Sequence, residues 1–149
     1  MATRYDAVVI GAGPAGEGAA MKLVKEGRRV AVIDQLGEVG GNCAHVGTIP
    51  SKALRQTVYN LMRFRRDPLL SRMADIRSLP LSQVLARAHK VIETQVNTHH
   101  RFFERNDVDL YFGQARFEEP NLISVFTPDG ITERIGFEHA VIATGSRPY

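Results

Sequence analysis

An α/β fold, a parallel sheet flanked by helices with an antiparallel β-meander appended to it, is predicted by three observations. An apolar run from Tyr5 to Ile10 leads through a glycine-rich turn into an amphipathic stretch, Ala19 to Val24, and then into a second apolar run, Val30 to Ile33, that closes on Asp34. That order is the opening of a βαβ unit. Further on, Ser82 to Asn106 holds a helical period for nearly its whole length. The last third then breaks into short strand-like runs divided by Pro120-Asn121 and Pro128-Asp129-Gly130.

The glycine-rich turn reads Gly11-Ala12-Gly13-Pro14-Ala15-Gly16, a G-x-G-x-x-G placed between a strand and a helix. In that context it is a Rossmann-like dinucleotide-binding fingerprint. Gly11 allows the tight turn out of the strand, Gly13 lacks the side chain that would hold the backbone away from a pyrophosphate, and Gly16 lets the helix pack closely on the sheet. Pro14 and Ala15 open the helix, whose N-terminus offers free N–H groups and a partial positive charge to phosphates. Asp34 lies eighteen residues beyond Gly16, at the tip of the second strand. A carboxylate there accepts both hydroxyls of an adenosine ribose and repels a 2'-phosphate.

Gln35 to Gly41 reads as a glycine-bearing loop leading into Gly41-Asn42-Cys43-Ala44-His45-Val46-Gly47-Thr48-Ile49-Pro50-Ser51-Lys52. Pro50 suits a first helical turn, and Ala53 to Arg66 follows with apolar residues at helical spacing, stopping near Asp67-Pro68. Leu69 to Pro80 receives no assignment. The helix over 82–106 would span roughly 37 Å and serve as scaffold. On it His99 and His100 are adjacent and point differently, so surface or packing roles are expected for them and for His89, and no metal site. Val108 to Phe112 reads as a buried strand, and Ala115 to Glu118, Leu122 to Thr127, Ile131 to Ile135 and His139 to Ala143 as four short ones. The closing Ala143-Thr144-Gly145 is a small-residue loop able to approach a ligand at the carboxyl edge of the sheet.

The 149 residues suit one domain with a single core, and 44% hydrophobic with 23% charged residues is ordinary for a globular chain. The net charge is only +3, and Arg63, Arg65 and Arg66 read as a solvated helix face; no nucleic-acid partner is expected. No run approaches the length of a membrane span, and the first strand begins too early to leave room for a signal peptide. A cytoplasmic protein with no membrane partner is therefore expected. The single cysteine cannot form an internal disulfide.

Several of these stretches together resemble one family, the FAD-dependent pyridine nucleotide-disulfide oxidoreductases. The likeness runs from the Gly11 to Gly16 loop through Gly40-Gly41-x-Cys43 and Pro50-Ser51-Lys52 to the Gly113 to Phe117 segment and Ala143-Thr144-Gly145. It implies that the first fold binds FAD rather than NAD, with Asp34 on the adenosine ribose, although many members carry the longer glutamate there. It also implies that Gly41, Asn42, Cys43, Thr48, Ser51 and Lys52 border the cofactor. Backbone at Gln114 and Ala115 would lie near the adenine, and Ala143, Thr144 and Gly145 would line the cleft.

One position departs from the family. Its disulfide reductases carry a second cysteine five residues after the first, and here Thr48 stands five residues after Cys43. A hydroxyl cannot form a disulfide or carry electrons as a thiolate does, which disfavours a dithiol reductase. The resemblance is greatest to members in which threonine takes that place, and it implies hydride transfer from NADPH to FAD and from the reduced flavin to NAD+. By the same likeness Lys52 is the catalytic candidate, polarising the flavin near its N5; by its sequence alone it is a solvated helix lysine. Thr48 either supplies a hydroxyl near the helix start or touches the flavin, and Cys43 is either a small buried residue or a reactive thiol. The family further implies that residues 1–149 are the first segment of an FAD-binding domain, without the NAD(P)-binding and dimerisation domains. Such a segment would be inactive alone and homo-oligomeric when complete. Competing expectations are a non-catalytic nucleotide-binding module or partner subunit and, more weakly, a one-domain NAD dehydrogenase.

Overall fold

Residues 3–72 and 79–146 are described by the computed structural model. The first apolar run forms β1 (Thr3–Ile10), and the glycine turn delivers the chain into α1 (Pro14–Lys25), with Pro14 at the first helical position, where a missing N–H leaves no bond unmade. The chain returns through β2 (Val30–Asp34), all of whose residues are buried. Then come α2 (Gly41–His45), α3 (Thr48–Arg66), a 3-10 turn at Leu70–Arg72 and α4 (Leu81–Glu104). The last third forms β3 (Asp109–Phe112), β4 (Gln114–Glu119), β5 (Leu122–Phe126) and β6 (Thr132–Ile142).

All six strands make one sheet in the order β3-β2-β1-β6-β5-β4. The first four run parallel, with Val9 beside Val32 and Val141, and β6, β5 and β4 form an antiparallel meander. The alternation of the parallel strands divides their side chains between two cores. Val9, Val30 and Val32 pack with Ala20, Met21 and Phe103 on the side of α1 and α4. Val8, Ala31 and Ile33 point the other way, onto Ile123, Val125, Ile135 and Phe137 of the meander. The meander thus folds back over the face that the helices leave uncovered. The predicted α/β class, parallel sheet plus appended meander, is the observed one.

Several boundaries are corrected. The two strands expected at Ile131 to Ile135 and His139 to Ala143 are a single strand of 11 residues. Gly136 lies inside it rather than at a turn: Thr132 to Gly136 pair with β5, and Ile135 to Ile142 pair with β1. The strand expected to be buried from Val108 to Phe112 is an edge strand, with one neighbour and Asp109 exposed. Helix α3 begins five residues before Ala53, so Thr48, Ser51 and Lys52 already lie on it. The unassigned stretch Leu69 to Pro80 contains the 3-10 turn, and its remainder lies partly outside the described residues, as do Arg147, Pro148 and Tyr149.

Surface or packing roles were expected for the histidines of α4. His99 Nδ1 meets Glu17 Oε2 at 2.5 Å, tying α4 to α1, and His100 lies 3.2 Å from Glu104. His89 is exposed, and so are Arg63, Arg65 and Arg66. Among the described residues no three of His, Cys, Asp and Glu gather as a metal site would require. No helix among them is long and apolar enough to cross a membrane.

Candidate functional site

A cleft of about 680 Å³ opens at the carboxyl ends of β1 and β2, where ligands sit in open α/β sheets. Its floor is the glycine loop. Gly11 takes φ +110°, and a Cβ there would stand 2.2 Å from the Ala143 carbonyl oxygen, so the turn runs directly against the end of β6. A Cβ on Gly16 would lie 1.8 Å from the Gly11 oxygen, which is why α1 can pack so tightly on β1. Gly13 is the N-cap of α1 with no side-chain cap, and the first turn leaves the amides of Gly13, Ala15 and Gly16 without an intrahelical acceptor.

Opposite that loop stands the start of α2. Gly41, at φ +54°, approaches so closely that a Cβ on it would be 3.0 Å from Gly13 Cα. Asn42 Nδ2 donates to the Ser146 carbonyl at 2.9 Å and links α2 to the segment after β6. Cys43 is half-buried and lines the cleft, so it is not a fully buried packing residue. Asp34 is 8% exposed; its Oδ2 accepts the Ala12 N–H at 2.7 Å and its Oδ1 the Leu36 N–H at 2.8 Å.

Of the residues singled out in the sequence, the cleft brings together Gly11, Gly13, Pro14, Ala15, Asp34, Gly41, Asn42, Cys43, Gln114, Ala115, Ala143, Thr144 and Gly145. Gly16 lies behind the loop. Thr48, Ser51 and Lys52 are outside the cleft lining, exposed on the first turns of α3. Thr48 follows the N-cap Gly47 and no side chain caps this helix, whereas Ser51 Oγ donates back to the Gly47 oxygen at 2.8 Å. Sequence reading missed Ile10, Ile33, Gln35, Leu36, Val46, Gly113 and Ser146 in the lining. Ile10, Ile33 and Gln35 flank the glycine turn and Asp34, and that adjacency was the available signal. For Gly113 the signal was its place at the head of the Gly113 to Phe117 segment, and the fold shows that a Cβ there would meet the Phe126 oxygen at 2.5 Å.

A glycine loop at a helix N-terminus, an acid at the tip of the next strand and a cleft across both are the architecture of the Rossmann-like α/β class. Comparison with known sequences narrows this class. The pyridine nucleotide-disulphide oxidoreductase pattern matches residues 5–149, and the chain belongs to that family. It is 48% identical over 145 residues to the soluble pyridine nucleotide transhydrogenase of Pseudomonas putida (strain W619), covering 97% of this chain and 31% of that protein. The namesake protein of Ectopseudomonas mendocina (strain ymp) is also 48% identical, with the same coverage. The chain thus spans about a third of the length of these relatives. Among solved structures, the Cu(II) complex of the HOCl-induced flavoprotein disulfide reductase RclA from Escherichia coli superposes with a TM-score of 0.77 at 29% identity, covering 99% of this chain and 30% of that one.

Proposed function

We propose that the chain is the FAD-binding part of a flavoprotein that transfers a hydride between NADPH and NAD+, an NAD(P)+ transhydrogenase. FAD is its cofactor, and the nicotinamide nucleotides are substrates of the complete protein. One observation carries the reading: the close approach of Gly13 and Gly41, which leaves bare backbone on both sides of the cleft floor beside the first turn of α1. A dinucleotide pyrophosphate needs that kind of contact, with N–H groups near and no Cβ between. The cleft volume of about 680 Å³ also falls within the usual range for cofactor sites, about 300–1,000 Å³. The identity with soluble transhydrogenases supports the choice of reaction.

On this reading the amides of Gly13, Ala15 and Gly16 hold the pyrophosphate, and Asp34 takes the adenosine ribose. Backbone at Gln114 and Ala115 borders the adenine. Gly41, Asn42, Cys43, Ala143, Thr144 and Gly145 form the wall toward the ring, and Lys52, with Thr48 and Ser51 on the same helix, brings a positive charge to the ring's end of the site. When bound, the flavin would supply two-electron acceptance from one nicotinamide and release to the other, while the protein orients it. With one cysteine in these residues, Cys43 has no partner thiol for a dithiol relay. The complete protein is expected to be cytoplasmic and homo-oligomeric, and the present 149 residues to be inactive alone.

The test is a visible absorption spectrum of the freshly purified protein, with mass identification of what denaturation releases. FAD is expected, and NAD in its place would overturn the reading. Full-length protein should then form NAD+-derived NADH from NADPH, and Lys52→Gln should lower the turnover about 10-fold or more. Enzymatic reduction of a disulfide substrate with Thr48 intact would refute the transhydrogenase assignment.

A further inference from the structure

Glycine-rich loops have little stiffness of their own, because residues without Cβ move freely between backbone conformations. The loop from Gly11 to Gly13 therefore needs something outside itself to aim its N–H groups. Ala12, fully buried between those glycines, is bonded on both sides: its N–H donates to Asp34 Oδ2 at 2.7 Å, and its carbonyl accepts the Gly40 N–H at 2.8 Å. Asp34 is tied in turn at two further points. Its Oδ1 accepts the Leu36 N–H at 2.8 Å, and its own carbonyl accepts the Gly113 N–H at 2.9 Å. The glycine loop, the turn after β2 and the turn after β3 all converge on this one residue.

We propose that Asp34 is a positioning residue for the pyrophosphate cradle, its carboxylate fixing the glycine loop through the Ala12 N–H. The proposal rests on the dinucleotide-binding reading and adds to it. Each carboxylate oxygen has a second acceptor position after taking one N–H, so the brace leaves room for a ribose hydroxyl. Two roles on one side chain make different demands. A pure ribose ligand matters only to a nucleotide that has ribose hydroxyls, whereas a brace matters to any ligand whose pyrophosphate lies on the loop.

The experiment titrates apo-protein, wild-type and Asp34→Asn, with FAD and with an FAD analogue lacking both hydroxyls on the adenosine ribose, following flavin fluorescence. Asparagine keeps the shape but offers one acceptor oxygen, so it cannot take both N–H groups. The substitution is expected to weaken both ligands by about 10- to 100-fold, as loss of a charge-assisted bond would. It should also speed hydrogen exchange at the Ala12 and Leu36 amides in ligand-free protein. A loss for FAD that vanishes with the deoxygenated analogue would overturn the brace and leave a ribose ligand alone. If Asp34→Asn does not fold, exchange in the wild-type protein decides: slow exchange at Ala12, comparable to the β1 amide of Val9, supports the brace, and fast exchange refutes it. If the wild-type protein takes no FAD, the cofactor reading fails by itself, and the Ala12 exchange still tests the brace.

Discussion

Gly16 and Gly18 sit two residues apart on α1 and should respond in opposite ways to an added methyl group. At Gly16 the new Cβ would lie 1.8 Å from a backbone oxygen that cannot move aside, so Gly16→Ala is expected to cost about 3 kcal/mol or more. At Gly18 nothing lies within 4 Å, and Gly18→Ala should gain up to about 1 kcal/mol from helix propensity. Urea denaturation of the two variants checks both signs. A second residue-level prediction concerns Tyr5, 2% exposed, whose hydroxyl donates to Asp109 Oδ2 at 2.7 Å and lies 2.7 Å from the Tyr111 hydroxyl. Burial first, and then these two hydrogen bonds, raise its pKa well above the ordinary phenol value. The folded chain therefore holds this proton more tightly than the unfolded chain. That stabilisation is complete below the unfolded phenol pKa, about 10, and is lost as pH rises above it. Tyr5→Phe should be less stable by about 1 kcal/mol at neutral pH and should lose less on going to about pH 11, read from urea midpoints. The glycine loop and Asp34 could be read from sequence because each is a local pattern of residue types. The bonds from Asp34 to Ala12 and Gly113 could not, since the strand pairing alone brings those residues together.

The helices and strands were legible wherever one period ran uninterrupted, and misread where a residue carried two meanings. The residues between Ile135 and His139 stood outside both expected strands, and they include Gly136, a residue type that usually weakens a strand. In β6 it stands where the strand passes from its antiparallel partner to its parallel one, and a Cβ there would find its nearest atom, the flexible Arg4 Cγ, at 3.6 Å. The short α2 carries too few residues to display a period, so it received no assignment. Helix α4 shows the limit of periodicity in another way: its apolar positions recur faithfully, yet Leu85, Val91 and Phe102 remain exposed while Ala88 and Phe103 are buried. Contacts from α3, the helix it packs against most extensively, and from the helix-side core of the sheet decide which of them count. Phe103, fully buried in the helix-side core with Val30 and Val32, is the anchor. Phe103→Ala should cost about 3–5 kcal/mol, whereas Phe102→Ala, 41% exposed, should cost under about 1 kcal/mol. Equal losses in thermal or urea unfolding would show that α4 is not held by this residue.

Across the whole molecule, beyond the outer sides of the edge strands β3 and β4, part of one side of β6 is left unpaired among the described residues. Strand β6 pairs with β1 along Ile135 to Ile142, but β5 covers its other side only from Thr132 to Gly136. Asn121 takes up both backbone groups of Phe137, and beyond that point, among the described residues, no strand pairs with Glu138 to Ile142 on the side away from β1. The exposed stretch carries a charge only at its start, Glu138, and is not a peripheral strand. It lies next to β1, in the middle of the sheet order, with Ile142 67% exposed. Unpaired N–H and C=O groups flanked by apolar side chains are a template for another strand. The 149-residue chain is therefore expected to self-associate with rising concentration, as measured by sedimentation velocity. A charge at the centre of that edge should oppose pairing without entering the core, because Ala140 is itself exposed. Ala140→Lys should shift the association to at least about 10-fold higher concentration while leaving the unfolding midpoint within about 0.5 kcal/mol of wild type. Equal association by the two proteins would move the cause elsewhere, for instance to the exposed faces of α3 and α4, with Met62 and Leu85.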